Sequence, residues 1–116
     1  MRAMLCRGRC TGSTAAATLP KPFSTALVVE RGGQITGYAS SLAFISHATA
    51  ETNLDLQALI ASADSFGGPG ILAPSRNSAL LRWCLANGLR VVQPMTLMAV
   101  GLYNEPAGAW LPSILF

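Results

Sequence analysis

The chain has 116 residues, of which 51% are hydrophobic and only 11% charged, with a formal net charge of +3. That length suits one domain with one core, and so apolar a composition excludes disorder as a description of the whole chain. No run of about 18 apolar residues occurs, so a membrane span is excluded as the main reading.

In chain order, residues 1–22 come first and differ from everything after them. Arg2, Arg7, Arg9 and Lys21 all precede the first acid, Glu30. The segment is Thr/Ala-rich, a composition shared by organellar transit peptides, poorly ordered arms and sequence fused in front of a domain. It is read here as a basic, disordered N-terminal arm, followed by a single domain over residues 23–116. Within that domain four bases (Arg31, Arg76, Arg82, Arg90) meet five acids (Glu30, Glu51, Asp55, Asp64, Glu105), leaving the body one charge negative. The high pI therefore belongs to the arm. With no basic stripe on the body, nucleic acid is not an expected partner.

From Phe23 the pattern is regular. Residues 24–30 are β-rich, Gly32-Gly33 is a favoured hairpin turn, and residues 35–40 read as the returning strand. Gly37 inside that strand predicts a bulge or a close backbone approach. Residues 41–46 read as a third strand. A helix is predicted over residues 50–65, with Leu56, Leu59, Ile60 and Ala63 on one face. Gly67-Gly68-Pro69-Gly70 stops it, and residues 70–73 form a short buried strand ended by Pro74. Asn77 or Ser78 then caps a helix of about ten residues with Leu80, Leu81, Cys84 and Leu85 on one face. Gly88 ends that helix in the left-handed conformation. Residues 90–93 and 96–100 read as strands around Pro94, and residues 101–112 as a loop. The order β-β-β-α-β-α-β predicts an α/β (α+β) fold, with a mixed β-sheet of about five to six strands and two main helices.

Three stretches carry a family resemblance. Ile35-Thr36-Gly37-Tyr38-Ala39 is similar to the x-x-G-Y/F-A strand of the GNAT acyltransferase superfamily. The helix opening at Asn77 and followed by Gly88-Leu89 resembles the late helix of that fold. The ending, from Pro94-Met95-Thr96 through Tyr103-Asn104-Glu105-Pro106 to Leu111-Pro112-Ser113, resembles the close of the second domain of tandem GNAT-like proteins. The resemblance spans residues 23–116 and implies a partial GNAT-like fold.

The departures from that family bear on mechanism. GNAT enzymes hold the CoA pyrophosphate on a glycine-rich loop at the start of the central helix, where backbone N–H groups do the binding. The matching stretch, residues 46–53, has no glycine and contains Glu51. The family's Tyr general acid falls at Cys84. The resemblance thus implies a non-catalytic GNAT-like domain acting through self-association or as an accessory module, with no cofactor. The alternative is an N-acyltransferase that uses acetyl-CoA or another acyl-CoA to acylate an amine. For the enzyme, the candidate catalytic residues are Cys84 and His47, the only imidazole. The candidate cofactor contacts are Ser46, Thr49 and Asn77. Glu105 either contacts a ligand or braces a turn.

No metal site is expected. Cys6 and Cys10 form C-x3-C and Cys84 stands alone, which does not make two paired ligand clusters. The odd cysteine count points to a reducing cytoplasm. Low charge and an unprotected sheet edge predict a homodimer or higher homo-oligomer. Leu97, Met98, Trp110, Leu111 and the Ile114-Leu115-Phe116 terminus are the expected contact.

Overall fold

The computed structural model describes residues 2–7, 17–18 and 26–115. Its elements are β1 (Arg2–Arg7), β2 (Ala17–Thr18), β3 (Leu27–Arg31), β4 (Gln34–Ala39), β5 (Ala48–Ala50), α1 (Asn53–Ala61), β6 (Ile71–Pro74), α2 (Ser78–Ala86), β7 (Leu89–Met95) and β8 (Ala109–Leu111). The fold mixes α and β, and from β3 to β7 it follows the expected order β-β-β-α-β-α-β. The strands make a five-stranded sheet, β2-β3-β4-β5-β8, and a three-stranded one, β6-β1-β7. Every ladder is antiparallel, and an isolated parallel bridge joins Ala43 to Gly67.

The β3–β4 hairpin turns on Gly32 (φ 58°) and Gly33 (φ 80°), both in the left-handed region that a two-residue turn of this hand requires. Gly37 meets both expectations. The β3–β4 register shifts beside it, and a Cβ there would come within 2.9 Å of the Ala50 Cβ on the next strand.

Residues 41–46, expected as a strand, are instead the loop of the β4–β5 hairpin. Ser40 N–H donates to the His47 carbonyl at 3.0 Å and closes it. Pairing resumes at Ala48, so the third strand lies seven residues after the position where it was expected to start. Helix α1 is shorter than residues 50–65 at both ends. The sheet uses Ala48–Ala50, and Thr52 caps the helix by accepting from Asp55 N–H at 3.2 Å. At the other end the Ser62 hydroxyl donates to the Leu59 carbonyl, competing with the next helical turn.

Helix α2 begins as expected. Asn77 caps it by accepting from Leu80 N–H at 3.2 Å, and Gly88 follows it at φ 83°. Beyond it, β7 runs straight through Pro94 to Met95, which an edge strand tolerates. Residues 96–100 form no strand, and residues 109–111, expected as loop, are β8.

Strands β6 and β7 flank α2 and run parallel to each other with a gap one strand wide. β1 fills that gap antiparallel to both. Arg2–Arg7, within the arm read over residues 1–22, is strand β1 and pairs with β6 and β7. The rest of that segment, apart from Ala17–Thr18, lies outside the described residues.

The core lies between the inner face of the five-stranded sheet and the two helices. Leu56, Leu59, Ile60, Ile71, Leu80 and Cys84 are all at most 1% exposed. The opposite face of the sheet carries Val28, Tyr38, Thr49 and Trp110, which are cross-strand partners in succession. None of these four is buried.

Candidate functional site

The two helices begin side by side, and their first residues grip each other. Asn53 Nδ2 donates to Asn77 Oδ1 at 3.0 Å, and Asn77 Nδ2 donates to Asn53 Oδ1 at 2.7 Å. This reciprocal amide pair joins position one of α1 to the cap of α2. In front of it opens a cleft of about 410 Å³, walled by Arg76, Glu51, Glu105 and Trp110. Arg76 pairs with Glu105 at the cleft mouth and is itself largely exposed. The cleft thus combines the positive ends of two helices and one guanidinium with two carboxylates. The bottom of the site is polar, and its net field is close to balanced.

Beneath the start of α1, the nearly fully buried Asp55 carboxylate accepts from the Thr52 hydroxyl at 2.6 Å and pairs with Arg31 from the β3–β4 hairpin. The Thr52 hydrogen bond is the main cause that holds Asp55 below its ordinary value of 3.8. Burial opposes it, and the bond and charge of Arg31 add to the lowering. Thr36 adds in the same direction, although its buried Oγ1 makes no hydrogen bond of ordinary geometry. The sequence Thr52-Asn53-Leu54-Asp55 is an acidic form of the capping box. It fixes where α1 starts and so where Asn53 stands.

The only imidazole lies elsewhere. The Tyr38 hydroxyl sits 2.8 Å from His47 Nε2, with the two rings edge to face. Ser40 Oγ lies 3.5 Å from His47 Nδ1 and also bonds the His47 backbone at 3.3 Å. These contacts hold the ring at the end of the β4–β5 hairpin. Beside Tyr38 a second, shallower groove of about 500 Å³ is lined by Ile35, Gly37, Thr49, Glu51 and Ala107.

The structure scatters the residues proposed for acyl transfer. Asn77 lines the helix-start cleft. Thr49 lines the second groove, and Ser46 is a turn residue whose N–H donates to the Ala43 carbonyl at 3.2 Å. Cys84 lies in the core on the buried face of α2, and burial pushes its thiol up to about 12. That thiol is fully buried and is not among the residues that line the cleft. Sequence reasoning missed Asn53, Arg76 and Trp110 as cleft residues, and Tyr38 as the partner of His47. Only the capping-box spacing at Thr52 could have placed Asn53 at a helix start.

Among the described residues no three His, Cys, Asp or Glu side chains converge as metal ligands do, and no helix is long and apolar enough to cross a membrane. No family model, curated protein or solved structure matches the chain.

Proposed function

We propose that the chain is a GNAT-like domain that works without catalysis, by associating with a second copy of itself. The observation that carries this reading is the segment after β7. Every residue from 96 to 108 is exposed, and Leu97, Met98, Val100, Leu102 and Tyr103 lie within it. Met98 is 85% exposed and Leu102 96%. Apolar side chains crowded into one exposed stretch mark an interaction site more often than a solvated surface. Two-fold pairing of identical copies is the commonest way to cover such a stretch. The buried, unreactive Cys84 also speaks for a domain that does not catalyse. We assign it to the reducing cytoplasm on the odd cysteine count.

Of the expected contact residues, Leu97, Met98, Ile114 and Leu115 are exposed as the reading requires. Trp110 is half-buried, Leu111 is buried in the core as part of β8, and Phe116 lies outside the described residues. Sedimentation velocity tests the proposal. A dimer is expected at micromolar concentration, and Met98→Asp with Leu102→Asp should return it to monomer. A well-behaved monomer at ~100 μM, far above the micromolar constants of ordinary association, overturns it.

The second reading, an N-acyltransferase using acetyl-CoA or another acyl-CoA, draws on one feature: a polar cleft where two helices begin, a place suited to phosphate. Calorimetric titration with acetyl-CoA separates the two. Saturable binding in the low micromolar range favours the enzyme, and the absence of heat at millimolar ligand favours the association domain.

A further inference from the structure

The one-strand gap between β6 and β7 is the least usual feature of the fold. Two parallel strands joined through a helix ordinarily lie side by side or admit a strand close in sequence. Here the gap is filled by Arg2–Arg7, separated from the start of β6 at Ile71 by 63 intervening residues. It pairs on both sides, from Arg2↔Pro74 to Leu5↔Ile71 on one and, with a register shift between Met4 and Leu5, from Arg2↔Met95 to Arg7↔Leu89 on the other. Among the described residues, β1 meets the rest of the fold through these two ladders. They would be identical if the strand came from another molecule.

We propose that β1 is exchanged between two copies of the chain, each seating its Arg2–Arg7 strand in the β6–β7 gap of the other. The inference rests on the self-association reading above and says how the two copies are locked.

Two observations support it, and a thermodynamic requirement says what else it needs. The first is reach. Residues 8–16 connect β1 to β2, and with β2 left paired to β3 those nine residues extend to about 30 Å, at roughly 3.3–3.6 Å each. The molecule measures 37 × 30 × 27 Å along its principal axes, so the tether can cross to a neighbour. The second is continuity. β7 is both one wall of the gap and the strand that leads into the exposed apolar segment, and Val91 and Val92 on it are themselves exposed. A copy docked on residues 96–103 therefore stands beside the gap.

Thermodynamically, a strand tethered to its own gap faces an effective concentration in the millimolar range, so exchange needs a second contact to favour it. The apolar segment supplies that contact. Without it the strand would stay at home, because the ladders alone do not distinguish the two arrangements.

The β1–β7 register supplies the test. Cys6 stands directly opposite Arg90, and directly opposed positions place their Cβ atoms about 4.5–5.5 Å apart, close to what a disulfide spans. The chain is made with Arg90→Cys and with Cys10→Ser, which leaves Cys6 and the buried Cys84 as the other thiols, then oxidised mildly at micromolar concentration. Cys10→Ser alone, oxidised in parallel, sets the background. Exchange predicts that the main oxidised product doubles in mass on a non-reducing gel and returns to single mass with reductant. A cross-link confined to single chains, or none above background, overturns exchange. Should Arg90→Cys fail to fold, Met4→Cys with Gln93→Cys offers a second opposed pair. Sedimentation of the unaltered, reduced chain keeps the two proposals apart. A dimer whose cross-link stays within one chain refutes strand exchange and leaves self-association standing, whereas a monomer refutes both.

Discussion

Residues 53–86 and residues 91–108 are both rich in large apolar side chains, and the fold buries most of those in the first region and exposes most of those in the second. In the first region Leu56, Leu59, Ile60, Ile71, Leu72 and Leu80 are at most 2% exposed. In the second, Val91, Val92, Met98, Val100 and Leu102 are all at least 46% exposed. Hydrophobicity alone does not separate the two. The difference lies in neighbours. α1 packs on β3, β4 and β5, α2 packs on β6 and β7, and the two helices pack on each other. β7 is an edge strand, and in the segment after it residues 96–104 are exposed before Glu105 pairs with Arg76 and Gly108 comes up against Ala50. The first region stabilises the monomer, and the second is surface left for something else.

The comparison breaks most readily in the core. Leu80 is fully buried on α2 within the cluster of Leu56, Leu59 and Ile71. Leu80→Ala is expected to cost about 3 kcal/mol, within the roughly 2–5 typical of such truncations, read as a lower denaturation midpoint in urea. A loss under about 1 kcal/mol would mean that the helices are not packed on the sheet as described.

Cys84 sharpens the same contrast through pH. Its folded value is about 12 against an ordinary 9.0, so between those values the unfolded chain releases a proton that the folded chain keeps. Stability should therefore fall as pH rises above 9, by at most about 1.4 kcal/mol per pH unit. Cys84→Ala should remove that alkaline slope. Alkaline unfolding curves of the two chains, overlaid, check it: identical slopes would place the thiol in contact with water.

Asp55 gives a smaller effect of opposite sign. Its folded value lies below 3.8, so the stabilisation is complete above about pH 4 and is lost as pH falls through the folded value. Asp55→Ala removes the cap partner and the ion pair together and should cost about 1–2 kcal/mol at neutral pH. It should also flatten the acid limb of the stability profile. An unchanged acid limb would mean that Thr52 and Arg31 do not hold the carboxylate.

Sequence reasoning reached the elements whose signals are local and missed those whose causes are distant. The β3–β4 hairpin was readable because Gly32-Gly33 sits between two β-rich runs. Helix α2 was readable because Asn77 and Gly88 mark its two ends. The sequence did not reveal β8, because Ala109-Trp110-Leu111 is three residues long, too short to show alternation. Nor did it reveal β1, since an Arg-rich start reads as solvated until β6 and β7 are seen to leave room for it. The site follows the same rule. Asn77 could be named as a cap, but its amide partner Asn53 lies 24 residues earlier, and nothing local links the two. Cys84 reads as a core residue from the apolar helix face it shares with Leu80, and the structure buries it fully.

The smallest expected effect on stability belongs to the exposed region, and it is the most informative. Val100 is as exposed as a residue in an extended chain, with no packing against the described residues, and Leu102 is nearly so. Replacing either with Ser should change the unfolding free energy of the monomer by no more than about 0.5 kcal/mol, the ordinary range for surface positions. The same substitutions remove apolar area worth roughly 25 cal/mol per Å² from any surface that covers them. In a two-fold dimer each substitution acts twice, once in each copy, so assembly should weaken while the monomer does not. Denaturation below the dissociation constant, set against sedimentation above it, reads the two effects separately. Equal losses in both would show that residues 96–108 pack within their own chain and would remove the contrast between the two regions.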